Sequence, residues 1–588
     1  MVAKRGSRTY KGLGIAPGVA VGRVKVVDGG HFPAQVPSHT IAEGDMAREI
    51  ERFRGACAQA REDLNALADR VEAQLGRREA DLVRPEALMV EDPAFLAEVE
   101  EIIIEEQKNA EAAVAEVAQR FERLIAAMDD PYLRERSTDV RDAGRRILAN
   151  LLFVEGELVV SLTEPCIVVA SHLVPSLAVR LEREMVRGLV TEHGGYTSHA
   201  AILARTLGIP AVTGLPGIID EVTDGETLVV NGSRGTATVR PTRASLRTYT
   251  RLAQQHATDR RRILAESSEP AVTRDGVRVV VQANVGRPEE IELAREYHAD
   301  GIGLYRTEFE YLTDPALPSE EALYEHYARA ARAFPEGGVT IRVLDIGGDK
   351  FPPSVPLAHE DNPFMGLRGL RLLLERAEEL MLPQLRAIIR AAAHGPISIM
   401  YPMVTGVEDM MAARKVFARA AAELGEPNVS IEQGVMVEVP SCVHMLGEML
   451  RRGGFASVGT NDLVQYVLAA DRNSERMADA YDPFHPAVIR ILEEIRRTCR
   501  ELDRPVSVCG EVTSDPHFLP MLLGLGYRTL SVNVGALAYV KHAVRGLSLA
   551  DCEALAELTL RADTAQRVHR AVRRFARAAG PGPLASNA

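Results

Sequence analysis

The sequence predicts a multidomain α/β protein, in which an α/β domain carries an inserted helical bundle and is followed by a (β/α)8 barrel. Two features of the chain indicate this fold class. In the first half, short glycine-punctuated strands lie on both sides of a long Ala/Glu/Arg-rich helical region. In the second half, eight apolar strand segments alternate with helical segments over roughly 300 residues, as in a (β/α)8 barrel.

The composition is typical of a folded protein with an acidic surface. The 588 residues include 69 Lys and Arg against 82 Asp and Glu, which gives a net charge of −13, and 46% of them are hydrophobic. Nucleic acids and anionic membranes both require a positive field, so the negative surface disfavours them as partners. The six cysteines are scattered without a CxxC pair, which excludes a disulfide framework or a cysteine zinc site as the organising element.

The sequence also predicts a location. No segment approaches the roughly 18 unbroken apolar residues of a membrane span. No apolar stretch follows the basic N-terminus, as one would in a secretory signal. We therefore expect a cytoplasmic protein with neither a membrane nor a nucleic acid as partner.

Changes in the periodicity and composition of the sequence divide the chain into four regions and a tail. A turn-rich start leads into a strand at 23–27, helical periodicity then runs from about 40 to 152, and strands return at 166–170 and 188–190. Because strands flank the helices, we infer one α/β domain with a helical insertion. The predicted limits are 1–36 and 150–242 for the α/β domain, 37–149 for the insertion, 243–268 for a helical linker, 269–577 for the barrel and 578–588 for the tail.

The predicted barrel strands end in polar residues, and this pattern favours a closed barrel over an open doubly wound sheet. The strands are predicted at 277–286, 301–307, 340–348, 397–404, 433–440, 455–463, 504–511 and 529–536. Their carboxyl ends carry Asn284, Arg306, Arg342 with Asp345, Tyr401-Pro402-Met403, Glu438, Asn461 with Asp462, Cys509 with Glu511, and Asn533. Since such barrels form their active sites at the carboxyl ends of the strands, we expect these side chains to converge on one mouth.

Two kinds of residue at this mouth indicate a magnesium site that takes an anionic substrate. Glu438 and Asp462 follow consecutive strands, and a few carboxylates without nearby His or Cys suit Mg²⁺, which keeps several of its waters. Arg306 and Arg342 carry planar guanidinium groups that match phosphate or carboxylate. Taken singly, each arginine could pair with a structural carboxylate, and Cys509 could be a small buried apolar side chain. The joint pattern favours a small, highly anionic substrate.

A second candidate site lies in the α/β domain, in the segment TEHGGYTSHAAILAR that begins at Thr191. A strand ends just before it, two glycines allow a close turn, and Thr197 or Ser198 would cap a helix that begins at His199. The unpaired N–H groups at a helix N-terminus disfavour a protonated imidazole, which would keep His199 a neutral nucleophile. His193 is the rival nucleophile, and the plain alternative is a capped helix with an incidental histidine.

These motifs resemble those of Enzyme I, the phosphoenolpyruvate–protein phosphotransferase family of the bacterial sugar phosphotransferase system. The resemblance covers nearly the whole chain: GIAPGVA begins at Gly14, GGYTSHAAILAR at Gly194, GIGLYRTEF at Gly301, DIGGDK at Asp345, NPFMGLRGLR at Asn362, VMVEVPS at Val435, GTNDLVQYVLAADR at Gly459 and VCGE at Val508. The last six motifs are shared with the wider group of phosphoenolpyruvate-using enzymes, so the N-terminal architecture separates Enzyme I from the other members.

The resemblance implies roles for individual residues. His199 matches the histidine that is phosphorylated, and Cys509 matches the acid that protonates enolpyruvate, since a thiol with an ordinary pKa of about 8.5 stays protonated at neutral pH. Glu438 and Asp462 match the Mg²⁺ ligands. The residues that match those holding phosphoenolpyruvate are Arg306, Arg342, Asn461, Asp462 and Arg472, with Arg368 supporting the same cluster.

The same resemblance implies a function and its partners. The family transfers the phosphoryl group of phosphoenolpyruvate to its own histidine, here His199, and then to a histidine of the small phosphocarrier HPr, releasing pyruvate in the first step of sugar uptake. It further implies a phosphohistidine domain that swivels on the linker, HPr docked on the helical insertion, Mg²⁺ as cofactor and a homodimer formed through the barrel.

Three other interpretations stay open, and two positions depart from the family pattern. A regulatory paralogue acting on an HPr-like carrier would keep the same residues, and a magnesium barrel lyase would leave the histidine segment unexplained. A phosphoenolpyruvate synthase or dikinase would need an ATP-binding region, for which we expect no room, and no Walker-type loop is present. Val174 replaces a hydroxyl residue that could steer the histidine, and Glu86 stands where the helical insertion usually has a histidine.

Overall fold

The protein consists of two compact units, Met1–Thr258 and Asp259–Ala588. The computed structural model describes residues 6–16, 18–27, 36–75, 89–126, 137–152, 164–171, 185–193, 204, 209–312, 316–348, 355, 360–472, 477 and 480–578. The first unit has one hydrophobic core around its sheet and another among its helices, and the second unit has a large core of its own.

An eight-stranded mixed sheet forms the base of the first unit. In spatial order its strands are β1 (Arg8–Lys11), β8 (Thr236–Val239), β7 (Thr227–Asn231), β3 (Val19–Val26), β4 (Cys166–Ala170), β5 (Val186–Thr191), β6 (Ala211–Thr213) and β2 (Leu13–Ala16). Strands β3, β4 and β5 run parallel, and β4 is buried along its whole length, as expected for a central strand that is covered on both faces. Strand β5 leads directly into the histidine segment.

A helical insertion lies between β3 and β4, as the sequence predicts. Its helices are α1 (Met46–Leu75), α2 (Pro93–Glu105), α3 (Ala110–Ala126) and α4 (Ser137–Leu151). Asp92 caps α2, since its Oδ1 accepts from the N–H groups of Ala94 and Phe95 at 2.9 and 3.0 Å. The helices share a core in which the rings of Phe95 and Phe121 meet edge to face at 5.8 Å.

The connector that follows is helical. After the short helix α5 (Ile218–Glu221) and strands β7 and β8, helix α6 (Arg243–Ala265) continues the chain, and the boundary between the two units falls within it. Arg240, at the end of the preceding strand, forms ion pairs with Glu221 and, at 3.2 Å, with Glu226. Helix α6 spans most of the predicted linker, while the domain limits themselves stay predictions.

The second unit contains a closed barrel of eight parallel strands, which confirms the predicted fold class. The strands are β9 (Val280–Val285), β10 (Ile302–Arg306), β11 (Val339–Arg342), β12 (Ile397–Tyr401), β13 (Glu432–Val437), β14 (Ala456–Val458), β15 (Val506–Val508) and β16 (Thr529–Asn533). Each strand overlaps one predicted segment. Strand β16 pairs with β9 from Thr529 opposite Val280 to Asn533 opposite Asn284, which closes the ring and excludes the open sheet.

Helices cover the outside of the barrel. They are α7 (Pro288–Glu296), α8 (Phe309–Leu312), α9 (Glu320–Ala333), α10 (Leu370–Glu375), α11 (Leu382–Ala391), α12 (Val407–Glu423), α13 (Pro440–Leu450), α14 (Thr460–Leu468), α15 (Pro486–Glu501), α16 (Leu519–Gly524), α17 (Leu537–Gly546), α18 (Leu549–Leu560) and α19 (Ala565–Ala578), with a π-helical turn at Ala377–Met381. Helix α15 buries Val488, Leu492 and Ile495 at helical spacing, the pattern that predicts a helix packed on a barrel. None of the helices in the described ranges combines the length and apolarity that crossing a bilayer requires.

The barrel lumen contains a small apolar cluster that is separate from the large core between strands and helices. Its members are Leu304, Met400, Met436, Phe455 and Cys509. Because side chains alternate along a strand, the residue two positions after a lumen-facing member also faces inward, closer to the carboxyl end. This alternation places charged residues above the apolar cluster.

Candidate active site at the barrel mouth

The strand ends direct Arg306 and Glu438 into the mouth of the barrel. Arg306 follows Leu304 by two residues, and Glu438 follows Met436 in the same way, so both side chains extend from the lumen toward the carboxyl ends of the strands. Arg342, at the end of β11, reaches the same region, since its Nη1 lies 3.5 Å from the sulfur of Met436. The predicted convergence of these three side chains therefore matches the barrel geometry.

Arg368 joins two carboxylates of the mouth and is completely buried. Its guanidinium donates to the two oxygens of Asp345 at 3.2 and 3.1 Å and to the two oxygens of Asp462 at 3.1 Å each. The ring of Phe364 lies 5.7 Å away, and the hydroxyl of Tyr466 accepts a further hydrogen bond at 3.4 Å. Burial alone would lower the pKa of this guanidinium, but the two carboxylates outweigh it and raise the pKa. The double pairing fixes Asp462 at the mouth.

Arg342 is held by a carboxylate that the sequence analysis did not identify. Its Nη2 donates to Glu308, and its Nη1 lies 3.3 Å from Asp345. Both Arg342 and Glu308 are buried, and the carboxylates raise the pKa of the guanidinium against the effect of burial. A signal existed in the sequence, because Glu308 follows the end of β10 by two residues within GIGLYRTEF.

Glu438 is a buried carboxylate in an environment that favours a cation. Its Oε1 accepts from the N–H of Met403 at 2.8 Å. Burial, followed by the charges of Asp462 and Asp345, raises the pKa of Glu438 to about 8. A cation beside these carboxylates would lower that pKa again. A Cβ on Gly459 would lie 2.8 Å from Oε2 of Glu438, so only a glycine leaves this oxygen free of crowding.

The donor set at Glu438 and Asp462 fits a cation that also takes ligands from substrate and water. Both side chains offer oxygen only, which suits Mg²⁺ better than a transition metal. Within the described ranges, no group of three or more His, Cys, Asp or Glu side chains is arranged to hold a metal ion by itself. Two carboxylates leave most coordination positions of such a cation to other oxygens.

Cys509 lies beneath the charged residues. Its Sγ–H donates to the carbonyl of Val458 at 3.4 Å, and its own carbonyl accepts from Nδ2 of Asn284 at 3.0 Å. Burial raises the pKa of the thiol, and the hydrogen bond from Ser457 and the charge of Arg342 offset only part of this rise. The thiol form is therefore favoured at neutral pH, as a proton donor requires.

Asn461 and Arg472 line the side of the mouth that α14 forms. Oδ1 of Asn461 accepts from the N–H of Glu511 at 3.0 Å, and its carbonyl accepts from the hydroxyl of Tyr481 at 3.0 Å. Nη1 of Arg472 lies 3.8 Å from Asp462. The ion pair places Arg472 beside Asp462, the carboxylate that the sequence predicts as a metal ligand, and Asn461 directly precedes Asp462 on α14.

The mouth contains equal numbers of acidic and basic side chains. This mouth cluster consists of the carboxylates Glu308, Asp345, Glu438 and Asp462 and the guanidinium groups Arg306, Arg342, Arg368 and Arg472. Two of the arginines keep donors available: Arg306 forms no hydrogen bond or ion pair with a described residue, and Nε of Arg342 is buried without a described partner. A bound polyanion would accept hydrogen bonds from these donors, and a divalent cation bound with it would offset its negative charge.

Tyr401 is a strand-end residue that does not reach the mouth. Tyr401 lies in the large core outside the strands, where its hydroxyl donates to Gln433 at 2.9 Å. The side chains of Glu511 and Asn533 are exposed. Among the remaining strand-end residues, Asn284 does face the lumen, since it contacts the carbonyl of Cys509.

The histidine segment lies mostly outside the described residues. This holds for His199, the predicted nucleophile, and for the two departures from the family pattern, Val174 and Glu86. His193, the rival nucleophile, is exposed, and its carbonyl accepts from the hydroxyl of Thr213 at 3.1 Å. The role of His199 stays a prediction from the sequence.

The pairing of Arg368 predicts a large loss of stability when it is removed. Arg368→Ala would leave Asp345 and Asp462 buried without their partner, and we expect the free energy of unfolding to fall by about 3–5 kcal/mol. Urea unfolding followed by circular dichroism measures this change. The control is Arg451→Ala, which removes the exposed pair with Glu448 and should cost less than about 1 kcal/mol. Equal costs for the two variants would contradict the structural role of Arg368.

The chain matches known proteins along nearly its whole length. Residues 11–136, 162–235 and 260–549 match the N-terminal, mobile and PEP-binding domains of the PEP-utilising enzymes, respectively. A phosphoenolpyruvate-protein phosphotransferase from Staphylococcus carnosus is 33% identical over 96% of this chain and 98% of that protein. A multiphosphoryl transfer protein from Xanthomonas campestris is 38% identical over 95% of this chain and 66% of that protein. An NMR structure titled Enzyme I (nEIt) is 31% identical, covers 42% of this chain and 99% of its own, and has a TM-score of 0.35.

The fold, the mouth cluster and the three matched domains define an enzyme that uses phosphoenolpyruvate. Within that class, the chain belongs to the family of phosphoenolpyruvate–protein phosphotransferases, because it aligns with members of that family over almost its full length at 33% identity. It is therefore a transferase, and neither the regulatory interpretation nor the synthase and dikinase interpretation is favoured.

Proposed function

We propose that this chain transfers the phosphoryl group of phosphoenolpyruvate to His199 and then to a histidine of an HPr-type phosphocarrier, releasing pyruvate. The mouth cluster carries this proposal, since it combines oxygen ligands for a hard cation with guanidinium groups for a small polyanion. Phosphoenolpyruvate has the phosphate, the carboxylate and the size that such a site selects.

The guanidinium groups of the mouth would bind and orient the substrate. Arg306 and Arg342 have donors free for phosphate and carboxylate oxygens, and Asn461 and Arg472 lie on the side of the mouth that α14 forms. Mg²⁺, when held by Glu438 and Asp462, would supply positive charge that neutralises the phosphoryl oxygens. Arg368 keeps Asp462 oriented for this task.

The transfer itself would use one group from each unit. The imidazole of His199 attacks phosphorus in line, so that an N–P bond forms while the P–O bond to enolpyruvate breaks. Cys509 then gives its proton to the methylene carbon, and pyruvate leaves. His199 belongs to the first unit and the mouth to the second, so the mechanism requires His199 to reach the mouth and later to leave it.

The partners follow from the same proposal. The helical insertion would receive the carrier, and its helices α2 and α3 expose the large apolar side chains of Ile104 and Leu124. A homodimer through the barrel and a cytoplasmic location complete the proposal. The homodimer is implied by the family resemblance, and the location is the expectation from the sequence.

Labelling with radioactive phosphoenolpyruvate tests the proposed function. With Mg²⁺, we expect the purified chain to take up acid-labile label, because a phosphohistidine is unstable in acid. Removal of divalent cations with EDTA should prevent the labelling, since Mg²⁺ would neutralise the phosphoryl oxygens. Labelling by γ-labelled ATP, or labelling by phosphoenolpyruvate that is insensitive to EDTA, would contradict the proposal.

A further inference from the structure

Two serines line the barrel lumen beneath Cys509. Ser507 precedes Cys509 by two residues, so both side chains face the lumen, and Ser457 is the register partner of Ser507 on the neighbouring strand. Oγ of Ser507 donates to Oγ of Ser457 at 2.9 Å, and Ser457 hydrogen-bonds the side chain of Cys509. Ser457 is fully buried, whereas Ser507 is partly exposed. The hydroxyl groups thus form a chain that begins at solvent and ends at the sulfur.

The remaining surroundings of the thiol are unsuited to proton delivery. Its partners inside the lumen are the apolar side chains of Leu304, Met400, Met436 and Phe455. The charged groups that act on it, Arg306, Arg342 and Glu438, belong to the mouth cluster, which the substrate would cover. The serines approach the sulfur from the opposite side, where the partly exposed Ser507 stays in contact with solvent when substrate is bound.

We propose that Ser457 and Ser507 form a proton relay that reloads Cys509 from solvent after each turnover. The proposal rests on the proposed function, in which Cys509 is the acid. In the protonation step, the S–H bond breaks, a C–H bond forms at the methylene carbon of the enolate, and a thiolate remains. The thiolate then takes the proton of Ser457, Ser457 takes the proton of Ser507, and Ser507 takes a proton from water, which leaves hydroxide in solvent. Ser457 and Ser507 are positioning residues, since they act through Cys509.

An exchange experiment on the full chain separates proton delivery from phosphoryl transfer. The protein is incubated with Mg²⁺, phosphoenolpyruvate and pyruvate that carries carbon-14 and a deuterated methyl group. Carbon-14 enters phosphoenolpyruvate whenever transfer runs forward and back, and needs no phosphocarrier. Deuterium reaches water only when Cys509 exchanges its proton with solvent between turnovers. The ratio of deuterium loss to carbon exchange therefore measures the relay, and a general loss of activity lowers both rates without changing the ratio.

The relay predicts a specific effect on this ratio. In Ser457→Ala the ratio should fall by about a hundred-fold or more, the low end of the effect of a positioned proton-transfer group. Ser457→Thr retains a hydroxyl and should restore the ratio, while Ser507→Ala should lower it. The matched control is Ser531→Ala, which removes an equally buried hydroxyl that donates to Asn284 at 2.6 Å, and it should leave the ratio unchanged.

Each outcome decides the proposal. An unchanged ratio in Ser457→Ala overturns the relay and leaves the proposed function standing. A ratio that falls equally in Ser457→Thr assigns Ser457 a purely structural role and also overturns the relay. If Ser457→Ala fails to fold, the partly exposed Ser507→Ala decides the question. Absence of carbon exchange in the unaltered chain would instead contradict the proposed function.

Discussion

His199→Ala is expected to abolish labelling of the chain by phosphoenolpyruvate. The histidine supplies the attacking nitrogen, and removing the nucleophile should reduce the rate by at least about a thousand-fold, to the non-enzymatic background. Rapid-quench labelling in the presence of Mg²⁺ measures this rate. Circular dichroism of the variant establishes that the loss is chemical rather than structural.

His193→Ala is the matched control, because His193 is the rival nucleophile in the same segment. Its contacts to the surrounding residues include main-chain hydrogen bonds: its N–H donates to the carbonyl of Ser171 at 3.1 Å, and its carbonyl accepts from Thr213 at 3.1 Å. Alanine retains both bonds, so labelling should continue at nearly the normal rate. Full labelling of His199→Ala, or its loss only in His193→Ala, would reject the assignment.

Glu438→Gln should have the second large effect. The amide keeps the shape of the side chain and a carbonyl oxygen for the N–H of Met403, but it removes one of the two anionic ligands offered to Mg²⁺. Loss of the metal's charge stabilisation, worth several kcal/mol, corresponds to a decrease of about a thousand-fold in the labelling rate. The rate is measured over a range of Mg²⁺ concentrations, and we expect both a lower maximum and a weaker apparent affinity.

The control for this variant is Glu432→Gln. Glu432 lies on the same strand, β13, at its opposite end, and is exposed. The change removes the same charge far from the mouth, so both the rate and the Mg²⁺ dependence should stay normal. A normal Mg²⁺ dependence in Glu438→Gln would exclude this carboxylate as a metal ligand.

The barrel was predictable because its strands are apolar segments bounded by glycine and polar residues. All eight strands were predicted. Strands β14 and β15 have only three residues each and are shorter than their predicted segments, because hydrogen bonding to the neighbouring strands defines where a strand ends.

The start of the chain was less predictable. The sequence predicts a strand at 23–27, but β3 begins at Val19, and β1 is a largely exposed strand paired with β8. An exposed edge strand lacks the alternation of apolar and polar residues that predicts a strand. Its formation therefore depends on pairing with the neighbouring strand.

The candidate site was predictable where residue type and strand position suffice, as for Arg306, Arg342 and Glu438. The sequence did not reveal that Glu308 holds Arg342, because this ion pair depends on how two loops return to the mouth. The sequence analysis expected Tyr401 at the mouth, but its side chain packs in the core outside the strands. Neighbouring positions on a strand face opposite sides, so a shift of one residue decides whether a strand-end side chain faces the lumen or the helices. A single sequence thus gives least information on ion pairs between distant segments and on which side of a strand each side chain faces.

Mapping the phosphorylated residue tests the central claim most directly. The full chain is incubated with phosphoenolpyruvate and Mg²⁺, digested under conditions that preserve acid-labile phosphate, and analysed by mass spectrometry. The account predicts one phosphoryl group, on the peptide that contains His199, and on the imidazole of that residue. Phosphate on His193 or on any other residue, or an unmodified chain after complete incubation, would contradict it.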